Sequence, residues 1–526
     1  MRLQESPDLD LFWGDFHKHM TGPETNRSGL DTVLNSAREH LDISVVQCYP
    51  FKWYQKGRVA GIREESVGHD PEFDEWWTDI EAASRRYNEP GEFITFPAFE
   101  WHGNRTRWGD HNVYYREEGY EIDRAWELPD LLENMTDRNA LVLPHHTAYE
   151  LGNRGKDWDE YDPELSPVSE IYSSHGSNES IDSPVPMEGN HDMGPRTNTG
   201  TYQAALNRGH RIGVIASNDG PGLPGTWNSG IAGVWAPELT REAIWEAVRE
   251  RRTYGVTGDR MRLWWSLDGH PLGSSVSSVS DRRATVQVDC PRPLDAIEVV
   301  HNGDVAASYT HQDTEFDAEA GRYRILVEVG WGPSREYGDF DSVERDWSGA
   351  IRARSGEITW AQPRFRGFGQ SYEVADGECR FDVTTSRAEQ DAILPELDAD
   401  RTTQGFVVEV DADDDSRVVI DLDDGETLTV PLADAKHEDH LFSFTEESAD
   451  RLDQDFDLSE PDIENTDIIY HNAHKVRVSR ADPVEACGAT VTFEDLPQSE
   501  GLDYYYVRAG QRDGQYAWAS PVWVDD

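Results

Sequence analysis

Lysine and cysteine are the residues that this chain uses least. Its 48 basic residues include only six lysines, and its four cysteines, at positions 48, 290, 379 and 487, are spread over 526 residues. No two of these cysteines form a C-x-x-C pair, and so sparse a distribution does not support a disulfide-stapled domain. The composition therefore excludes both a disulfide framework and a cysteine-based zinc knuckle.

Long hydrophobic runs are also missing. The sequence has no stretch of about 18 apolar residues that would cross a bilayer, and no apolar segment of signal-peptide length precedes residue 11. We therefore expect a cytoplasmic protein without a membrane partner. The sequence also lacks a serine nucleophile elbow, a P-loop and a dinucleotide-binding glycine pattern, which excludes the enzyme classes built on those motifs.

Positive charge is scarce relative to negative charge. The chain carries 102 acidic against 48 basic residues, which gives a formal net charge of −54. Such a surface repels a phosphate backbone, so we expect no nucleic-acid partner. The acidic excess with few lysines resembles proteins from extreme halophiles. An acidic disordered protein is the alternative, but the 37% hydrophobic and 10% aromatic content favours a globular chain.

Salt should stabilise this fold. Like charges repel one another at low ionic strength, and the Debye length shrinks to roughly 3 Å at about 1 M salt. We therefore expect the thermal midpoint to rise from dilute buffer to about 1 M salt because the repulsion is screened. Thermal unfolding followed by circular dichroism over a KCl series measures this. A midpoint that falls steadily with salt would contradict the halophile interpretation.

The first half of the chain alternates strand-like and helix-like segments. Residues 41–46 and 93–99 are apolar runs of strand length, whereas residues 28–40 and 72–87 carry apolar side chains at helical spacing. The alternation continues to a helix predicted at 240–252. Strands that alternate with helices predict an α/β fold, here a barrel of parallel strands over residues 1–260.

The second half, residues 261–526, has a different pattern. Short segments of alternating polarity, such as 284–288 and 323–329, are separated by turn sequences. This pattern favours one or two β-sandwich modules. We interpret the acidic, weakly apolar stretch at 436–466 as a solvated loop within them.

Residues 11–19 (LFWGDFHKH) form an apolar run that ends in a His-x-His pair. Side chains on a strand alternate between its two faces, so His17 and His19 should share one face. Imidazole is a common ligand of catalytic divalent metals, and Asp15 is placed to orient a ligating ring. The pattern is short, and two polar surface histidines are the alternative interpretation.

Other residues of metal-ligand type follow successive predicted strands. They are Glu100, His111, His145, His146, His175 and Asp219. Each of them alone has an ordinary structural explanation, but buried imidazoles and carboxylates are costly unless they are paired or coordinated. Their convergence at one mouth of a barrel predicts metal-assisted hydrolysis.

Short segments around these residues carry a family resemblance. They are GDFHKH at 14–19, FEW at 99–101, PH at 144–145, SHGS at 174–177 and SND at 217–219. They resemble the PHP (polymerase and histidinol phosphatase) superfamily of metal-dependent phosphoesterases. Within it, LTREAI at 239–244, RRTYGVTGDR at 251–260, YYVR at 505–508 and WASPVW at 518–523 are similar to one bacterial and archaeal branch. The resemblance spans nearly the whole chain and implies a distorted barrel of roughly seven strands followed by a β-rich region.

The resemblance also implies a cluster of divalent metal ions, of Mn, Zn or Fe, that share one glutamate. Carried over to this sequence, the ligands of one ion would be His17, His19, Glu100 and Asp219. The ligands of its neighbour would be Glu100, His111 and His145. In this superfamily a hydroxide that bridges two metals attacks the phosphorus, which implies a phosphate ester or another small anionic ester as the substrate.

Two further roles are implied at the site. His146 or His175 would protonate the leaving group, although His146 has an alternative interpretation as a supporting or surface histidine. Arg105 and Arg107 follow Glu100 and would bind the anionic substrate, or else lie in a solvated loop.

The superfamily often holds a third metal ion, and the sequence departs from the family pattern at the positions that would supply its ligands. The second strand leads into Cys48 and Tyr49 in place of an Asp-His pair, Asp219 is followed by Gly220 and Pro221 in place of x-His, and residues 23–26 carry no histidine. We therefore predict two metals per chain. A third ion held by a Cys48 thiolate is the alternative.

The sequence leaves two functions open. The first is a metal-dependent hydrolase, and the second is a metal-binding scaffold without turnover whose β-rich half binds a partner or a carbohydrate. The oligomeric state does not follow from the sequence.

Overall fold

The computed structural model describes residues 8–19, 26–50, 71–187, 195–219, 224–277, 281–311, 321–334, 343–367, 369–387, 402–458 and 466–525. Within these ranges the chain is rich in β-structure and forms several sheets. No helix in this part of the chain is long and apolar enough to cross a bilayer.

The described ranges contain nine α-helices. They are α1 (Asn26–Arg38), α2 (Pro71–Tyr87), α3 (Arg105–Trp108), α4 (Leu128–Met135), α5 (Tyr202–Asn207), α6 (Arg241–Arg249), α7 (Leu432–Ala435), α8 (Thr445–Phe456) and α9 (Asp467–Asn472). The helix predicted at 240–252 is confirmed as α6, which ends at Arg249 and is capped by Thr240, whose side chain accepts a hydrogen bond from the Ala243 amide.

The strands of the first half are β1 (Asp10–His19), β2 (Ile43–Cys48), β3 (Ala98–Trp101), β4 (Asp110–Tyr115), β5 (Ala140–His145), β6 (Val168–Ser173), β7 (Gly176–Ser177), β8 (Gly213–Ala216), β9 (Ile231–Ala236) and β10 (Thr253–Val256). Strands β1, β2 and β3 are parallel neighbours, and β6 is parallel to β8 in a separate small sheet. The pairs β3–β4, β4–β5 and β1–β9 are antiparallel.

The prediction of parallel strands throughout is therefore wrong for the pairs β3–β4, β4–β5 and β1–β9. Only residues 102–109, which include the single turn α3, separate β3 from β4. A parallel connection needs a crossover of about a dozen residues or more. The short connection instead folds β4 back along β3, which places His111 opposite Trp101.

The strands of the second half number β11 to β31. They are β11 (Arg262–Leu267), β12 (His270–Pro271), β13 (Ser275–Ser277), β14 (Ala284–Asp289), β15 (Leu294–His301), β16 (Asp304–Thr310), β17 (Arg322–Gly330), β18 (Val343–Ala353), β19 (Gly356–Arg364), β20 (Ser371–Ala375), β21 (Glu378–Arg387), β22 (Thr403–Ala412), β23 (Arg417–Leu422), β24 (Thr427–Pro431), β25 (His440–Ser443), β26 (Lys475–Val478), β27 (Asp482–Pro483), β28 (Gly488–Phe493), β29 (Leu502–Gln511), β30 (Tyr516–Ala519) and β31 (Val522–Asp525). A 3-10 helix, Val484–Cys487, precedes β28.

Two sheets of the second half share one apolar core. The six-stranded sheet contains β17, β19 and β22, and the five-stranded sheet contains β18, β21 and β23. Val327 and Phe406 from the first pack in one cluster with Trp347 and Phe381 from the second. A sheet with one apolar face buries it in this way against another layer.

One sheet crosses the predicted division at residue 260. Strand β10 pairs with β9 on one side and with β30 on the other, so Tyr254 lies opposite both Gly233 and Ala519. Strands β29, β31 and β13 extend the same sheet. The last strands of the chain are therefore continuous with the sheet that carries His17.

The prediction that residues 436–466 form a solvated loop is wrong for their described part. This stretch contains β25 and the 12-residue helix α8. Leu452 of α8 is buried and packs against Ile469 of α9, while five of the twelve residues of the helix are acidic. One apolar stripe is enough to fix such a helix, and the sequence shows it only weakly.

Candidate metal centre

Strand β1 carries His17 at a point where its pairing with β2 is irregular. Its register with β2 shifts between Asp15 and Lys18, and the Phe16 carbonyl accepts hydrogen bonds from the Gln47 side chain at 3.1 Å and from the Tyr114 hydroxyl at 2.8 Å. Such bulges re-aim side chains near functional sites. The His17 side chain is fully buried.

Three buried residues from separate elements converge around His17. Its Nε2 lies 3.5 Å from Glu100 Oε2 and 3.5 Å from Asp219 Oδ1. His145 Nε2 lies 3.1 Å from Glu100 Oε1, and His145 Nδ1 lies 3.4 Å from Asp219 Oδ2. The two oxygens of Glu100 therefore face different imidazoles, as expected of a carboxylate shared by two ions.

These distances fit the coordination of a metal better than they fit hydrogen bonds. Among the described residues, neither ring nitrogen of His145 nor Oε2 of Glu100 has a hydrogen-bond partner, although all three atoms are buried. Ligand atoms about 2.0–2.2 Å from a common ion lie roughly 3.0–3.6 Å apart. The donor set and its spacing thus suit a divalent metal of the Mn, Zn or Fe type.

Glu170 is a member of this cluster that the sequence analysis missed. Its Oε2 accepts a hydrogen bond from His17 Nδ1 at 3.2 Å, which leaves Nε2 of the same ring to face Glu100 and Asp219. A carboxylate in this position fixes the tautomer and orientation of a ligating imidazole. The available signal was a carboxylate inside the buried run of β6, whose residues are all buried.

Asp15 was predicted to orient a ligating imidazole ring, but its partners are two backbone amides. Its Oδ1 accepts hydrogen bonds from the amides of His17 at 3.1 Å and of Asn218 at 3.0 Å, and not from a ring. Burial raises the pKa of Asp15 to about 7, although both amides lower it. Asp15 ties β1 to the loop that carries Asp219, so it positions two members of the cluster through their backbones.

Two site residues have a backbone conformation that L-residues rarely adopt. Asp219, whose amide donates to the His17 carbonyl at 2.9 Å, has a φ of 41°, and His146 has a φ of 29°. Neither is glycine, and such strain persists only where the surrounding structure holds it. Both follow the ends of strands, β8 and β5, at the cluster.

Asp110 forms a second group at the edge of the cluster. The fully buried carboxylate is bonded by Arg105 and by Arg154, whose Nη2 lies 2.6 Å from Oδ2, and His146 Nε2 lies 3.1 Å from the same oxygen. Burial raises the pKa of Asp110, but the charges of Arg105 and Arg154 more than offset this and hold it well below its ordinary value. Two guanidinium groups therefore meet at one buried carboxylate.

The two arginines that were predicted to bind an anion, Arg105 and Arg107, thus lie in different surroundings. Arg105 reaches the group around Asp110, whereas Arg107 is exposed and stacks on Trp108, with its guanidinium carbon 4.1 Å from the ring centre. Arg154, which the sequence analysis did not single out, takes the second place beside Arg105. The sequence around Arg154 carries no motif that indicates this role. Arg154 lies in a loop well after Arg105 in the sequence, so only the fold shows that the two guanidinium groups meet.

His175 lies between Tyr149 and Asp219. Its Nδ1 is 2.7 Å from the Tyr149 hydroxyl, and its Nε2 is 3.2 Å from Asp219 Oδ2. Burial lowers the pKa of His175 to about 4, although the charge of Asp219 opposes the shift. The rings of His175 and His146 are 4.7 Å apart, so both predicted proton donors lie beside the arginine pair.

One predicted ligand, His111, does not join the clusters of ligand atoms among the described residues. The described part of the chain contains three groups of metal-ligand atoms that lie within 4.8 Å of one another, and His111 belongs to none of them. Burial and the positive charges of Lys156 and His145 hold the pKa of His111 well below its ordinary value. His19 ends β1, but its side chain lies outside the described residues, as do residues 23–25, 220 and 221.

Cys48 faces away from this centre. It packs in an apolar cluster with Trp77 and Phe99, and burial raises the pKa of its thiol to about 12. A thiolate ligand for a third ion is therefore disfavoured. The neighbouring Tyr49 stacks on His102, whose Nε2 lies 2.6 Å from Glu100 Oε1.

Comparisons with known proteins give a partial match. Residues 204–267 match the family described as a protein of unknown function, DUF3604. An uncharacterized protein of Chlamydia pneumoniae is 25% identical over 268 residues, which cover 46% of this chain, and one of Chlamydia trachomatis is 23% identical over 256 residues, which cover 44%. The aligned part of this chain spans 42% and 41% of the lengths of these two relatives.

One solved structure was also found to be similar. It is a two-domain protein from Bacteroides vulgatus that contains a predicted PHP-like metal-dependent phosphoesterase. The alignment covers 81% of this chain and 96% of that one, at 11% sequence identity and a TM-score of 0.30. At this TM-score the overall likeness is low.

Replacing Glu170 by glutamine tests its contact with His17. The amide keeps the shape of the side chain but loses the charge that orients the ring, so we expect metal affinity to fall by about 10–100-fold. Competition with a fluorescent chelator measures the affinity. Glu164→Gln, at an exposed position on the connection before β6, is the control. An unchanged affinity would show that Glu170 does not orient a ligand.

Proposed function

We propose that this chain is a metal-dependent hydrolase of phosphate esters, with a PHP-type barrel in the first half and β-sandwich modules in the second. The observation that carries the proposal is the buried set of His17, Glu100, His145 and Asp219, whose facing atoms lie 3.1–3.5 Å apart. Buried atoms of His145 and Glu100 without hydrogen-bond partners among the described residues support it.

The metals would supply Lewis acidity and a bound water of lowered pKa. The residues of the chain hold and orient the reactants around them. Arg105 and Arg154 place two guanidinium groups beside the cluster, and the planar fork of a guanidinium group suits the oxygens of an anionic substrate. His146 contacts Asp110 and His175 contacts Asp219, so either ring would be placed to pass a proton to the leaving oxygen, once the negative charge of a bound substrate offsets the burial that lowers the pKa of both imidazoles.

The number of metals follows from the ligands. Glu100 faces both His17 and His145, so it would be shared between two ions. Cys48 faces an apolar cluster and offers no third site. We therefore expect about two equivalents of metal per chain in protein purified without a chelator, measured by inductively coupled plasma mass spectrometry. Three fully occupied sites would contradict this count.

Activity is tested with chromogenic phosphate monoesters and diesters, and carboxylic esters as the comparison class. The chain is assayed at high salt with Mn²⁺, Zn²⁺ or Fe²⁺ and again after chelation. We expect metal-dependent hydrolysis of a phosphate ester. Full metal content without turnover of any ester would favour the second candidate, a binding scaffold whose β-rich half recognises a partner or carbohydrate.

Replacing Arg154 by glutamine should raise KM more than it lowers kcat. The variant removes a guanidinium from the pair on Asp110, and charge-assisted contacts to phosphate contribute about 1.5–3 kcal/mol, so we expect KM to rise by roughly tenfold or more. Arg107→Gln is the matched control, because Arg107 stacks on Trp108 away from Asp110. Equal KM values in the two variants would remove Arg154 from the substrate site.

A further inference from the structure

A single buried carboxylate joins the last strands of the chain to a turn beside the metal centre. Glu179 follows β7 and is fully buried. Its Oε1 accepts hydrogen bonds from the Tyr506 hydroxyl at 2.8 Å and from Arg508 Nη1 at 3.0 Å. Its Oε2 accepts them from Trp518 Nε1 at 2.9 Å and from the Ser183 hydroxyl at 2.8 Å. Four donors thus fill the four lone-pair positions of one carboxylate.

Three of these donors belong to the C-terminal strands. Tyr506 and Arg508 lie in β29, and Trp518 lies in β30. The Trp518 ring also stacks on Tyr172 of β6, with the ring centres 5.9 Å apart. Because each donor is part of a strand or packs against one, Glu179 is held at a fixed place relative to β29 and β30.

The turn that carries His175 lies four residues before Glu179. Strand β7 pairs with the end of β6, and the Glu179 amide donates to Ser177 Oγ at 3.2 Å. The intervening Asn178 is fully buried, and its amide donates to the Ile171 carbonyl at 2.7 Å. This connection is short and hydrogen-bonded, so a displacement of Glu179 should also displace His175.

The same segment contacts the strand end that carries the other histidine. Asn178 Oδ1 accepts a hydrogen bond from the Ala148 amide at 3.2 Å, two residues after His146. Asn178 Nδ2 donates to the Glu170 carbonyl at 3.4 Å. The segments of both proposed proton donors therefore meet directly before Glu179.

We infer that Glu179 is a positioning residue whose contacts with β29 and β30 hold the turn that carries His175. This inference rests on the proposed function, in which His175 passes a proton to the leaving oxygen. A proton donor must lie within hydrogen-bond reach of that oxygen, so a displaced turn weakens catalysis. The last strands of the β-rich half would then complete the active site of the first half.

Glu179→Gln tests the inference with two phosphate esters that differ in their leaving groups. The amide has nearly the size of the carboxylate, but its hydrogens would face groups that are donors themselves. Phenolate is a poorer leaving group than 4-nitrophenolate, so its departure depends more on a proton donor. We therefore expect kcat for phenyl phosphate to fall at least about tenfold more than kcat for 4-nitrophenyl phosphate. Metal content should stay unchanged, and Asp182→Asn, at an exposed position in the same loop, is the matched control.

A double-mutant cycle separates positioning from general destabilisation. If Glu179 acts through His175, Glu179→Gln should lower kcat by less than about threefold in the His175→Gln background. Equal losses with the two esters, or a full loss in that background, would overturn the inference. If Glu179→Gln does not fold, as judged by circular dichroism, Tyr506→Phe removes one of the four donors and should change the two kcat values in the same direction.

Hydrogen exchange gives a readout that does not depend on activity. The amides of His175, Asn178 and Glu179 are hydrogen-bonded in the structure. Their exchange, followed by mass spectrometry over residues 174–183, should be at least about tenfold faster in Glu179→Gln and unchanged in Asp182→Asn. Unchanged exchange in Glu179→Gln would contradict the inference. If the unaltered chain hydrolysed neither ester, the proposed function would fail, and the exchange rates alone would decide whether Glu179 holds the turn.

Discussion

Replacing Glu100 by glutamine should strip the chain of metal and abolish hydrolysis. Glu100 faces three imidazoles, since Oε2 lies 3.5 Å from His17 and Oε1 lies 3.1 Å from His145 and 2.6 Å from His102. Burial raises its pKa, but the charge and hydrogen bond of His102, together with the adjacent imidazoles of His145 and His17, hold its pKa well below the ordinary value. The glutamine side chain is neutral, so it cannot supply the negative charge that a ligand shared by two metal ions provides.

The expected loss is larger than for residues that only orient a ligand. Replacing such residues costs about 10–100-fold, so we expect the activity of Glu100→Gln to fall by more than about 10³-fold. His145→Ala should behave alike, because both of its ring nitrogens face carboxylates of the cluster. Far-UV circular dichroism should stay nearly unchanged, because the ligands lie at strand ends apart from the packed core.

Metal content and activity are measured together on the same preparations. Glu117→Gln, an exposed carboxylate after β4, is the matched control and should keep both. Chelation of the unaltered chain should lower its thermal midpoint, because an ion that binds only the folded state stabilises it, and Glu100→Gln should not respond to the chelator. Full metal content in Glu100→Gln or His145→Ala would show that the assigned ligands are wrong.

The sequence singled out ligand-type residues at or near the ends of apolar runs. His17, Glu100, His145 and Asp219 were predicted in this way, and in the fold each of them has an atom within 3.5 Å of two of the others. Glu170 was missed because it lies inside a buried strand, where the pattern indicates only β-structure. Ligand-type residues mark a strand end clearly, whereas a single carboxylate within a strand carries no spacing signal.

The parts of the fold that the sequence did not predict depend on distant pairings. The antiparallel turn at β4 follows from a connection too short for a crossover. The pairing of β10 with β30 joins residues more than 250 positions apart. Local periodicity predicts which segments become strands, but the choice of neighbour is made by packing between distant segments.

Asp259 should be the largest single contributor to stability at the junction of the two halves. It is fully buried, and it accepts hydrogen bonds from Arg364 Nε at 2.9 Å, Gln511 Nε2 at 2.8 Å and Trp227 Nε1 at 3.1 Å. Arg364 lies in β19 and Gln511 in β29. One carboxylate thus joins the end of the first half to two elements of the second.

Asp259→Asn should destabilise the chain because the new amide hydrogens face groups that are themselves donors. Breaking a buried ion pair costs about 3–5 kcal/mol, since the remaining charge stays buried. Asp513→Asn is the matched control, because Asp513 contacts the same Arg364 at 2.6 Å but is 32% exposed, and exposed pairs contribute about 0–1 kcal/mol. Urea unfolding followed by tryptophan fluorescence at high salt compares the two. If both variants lost the same free energy of unfolding, the contribution of Asp259 to stability would not depend on its burial.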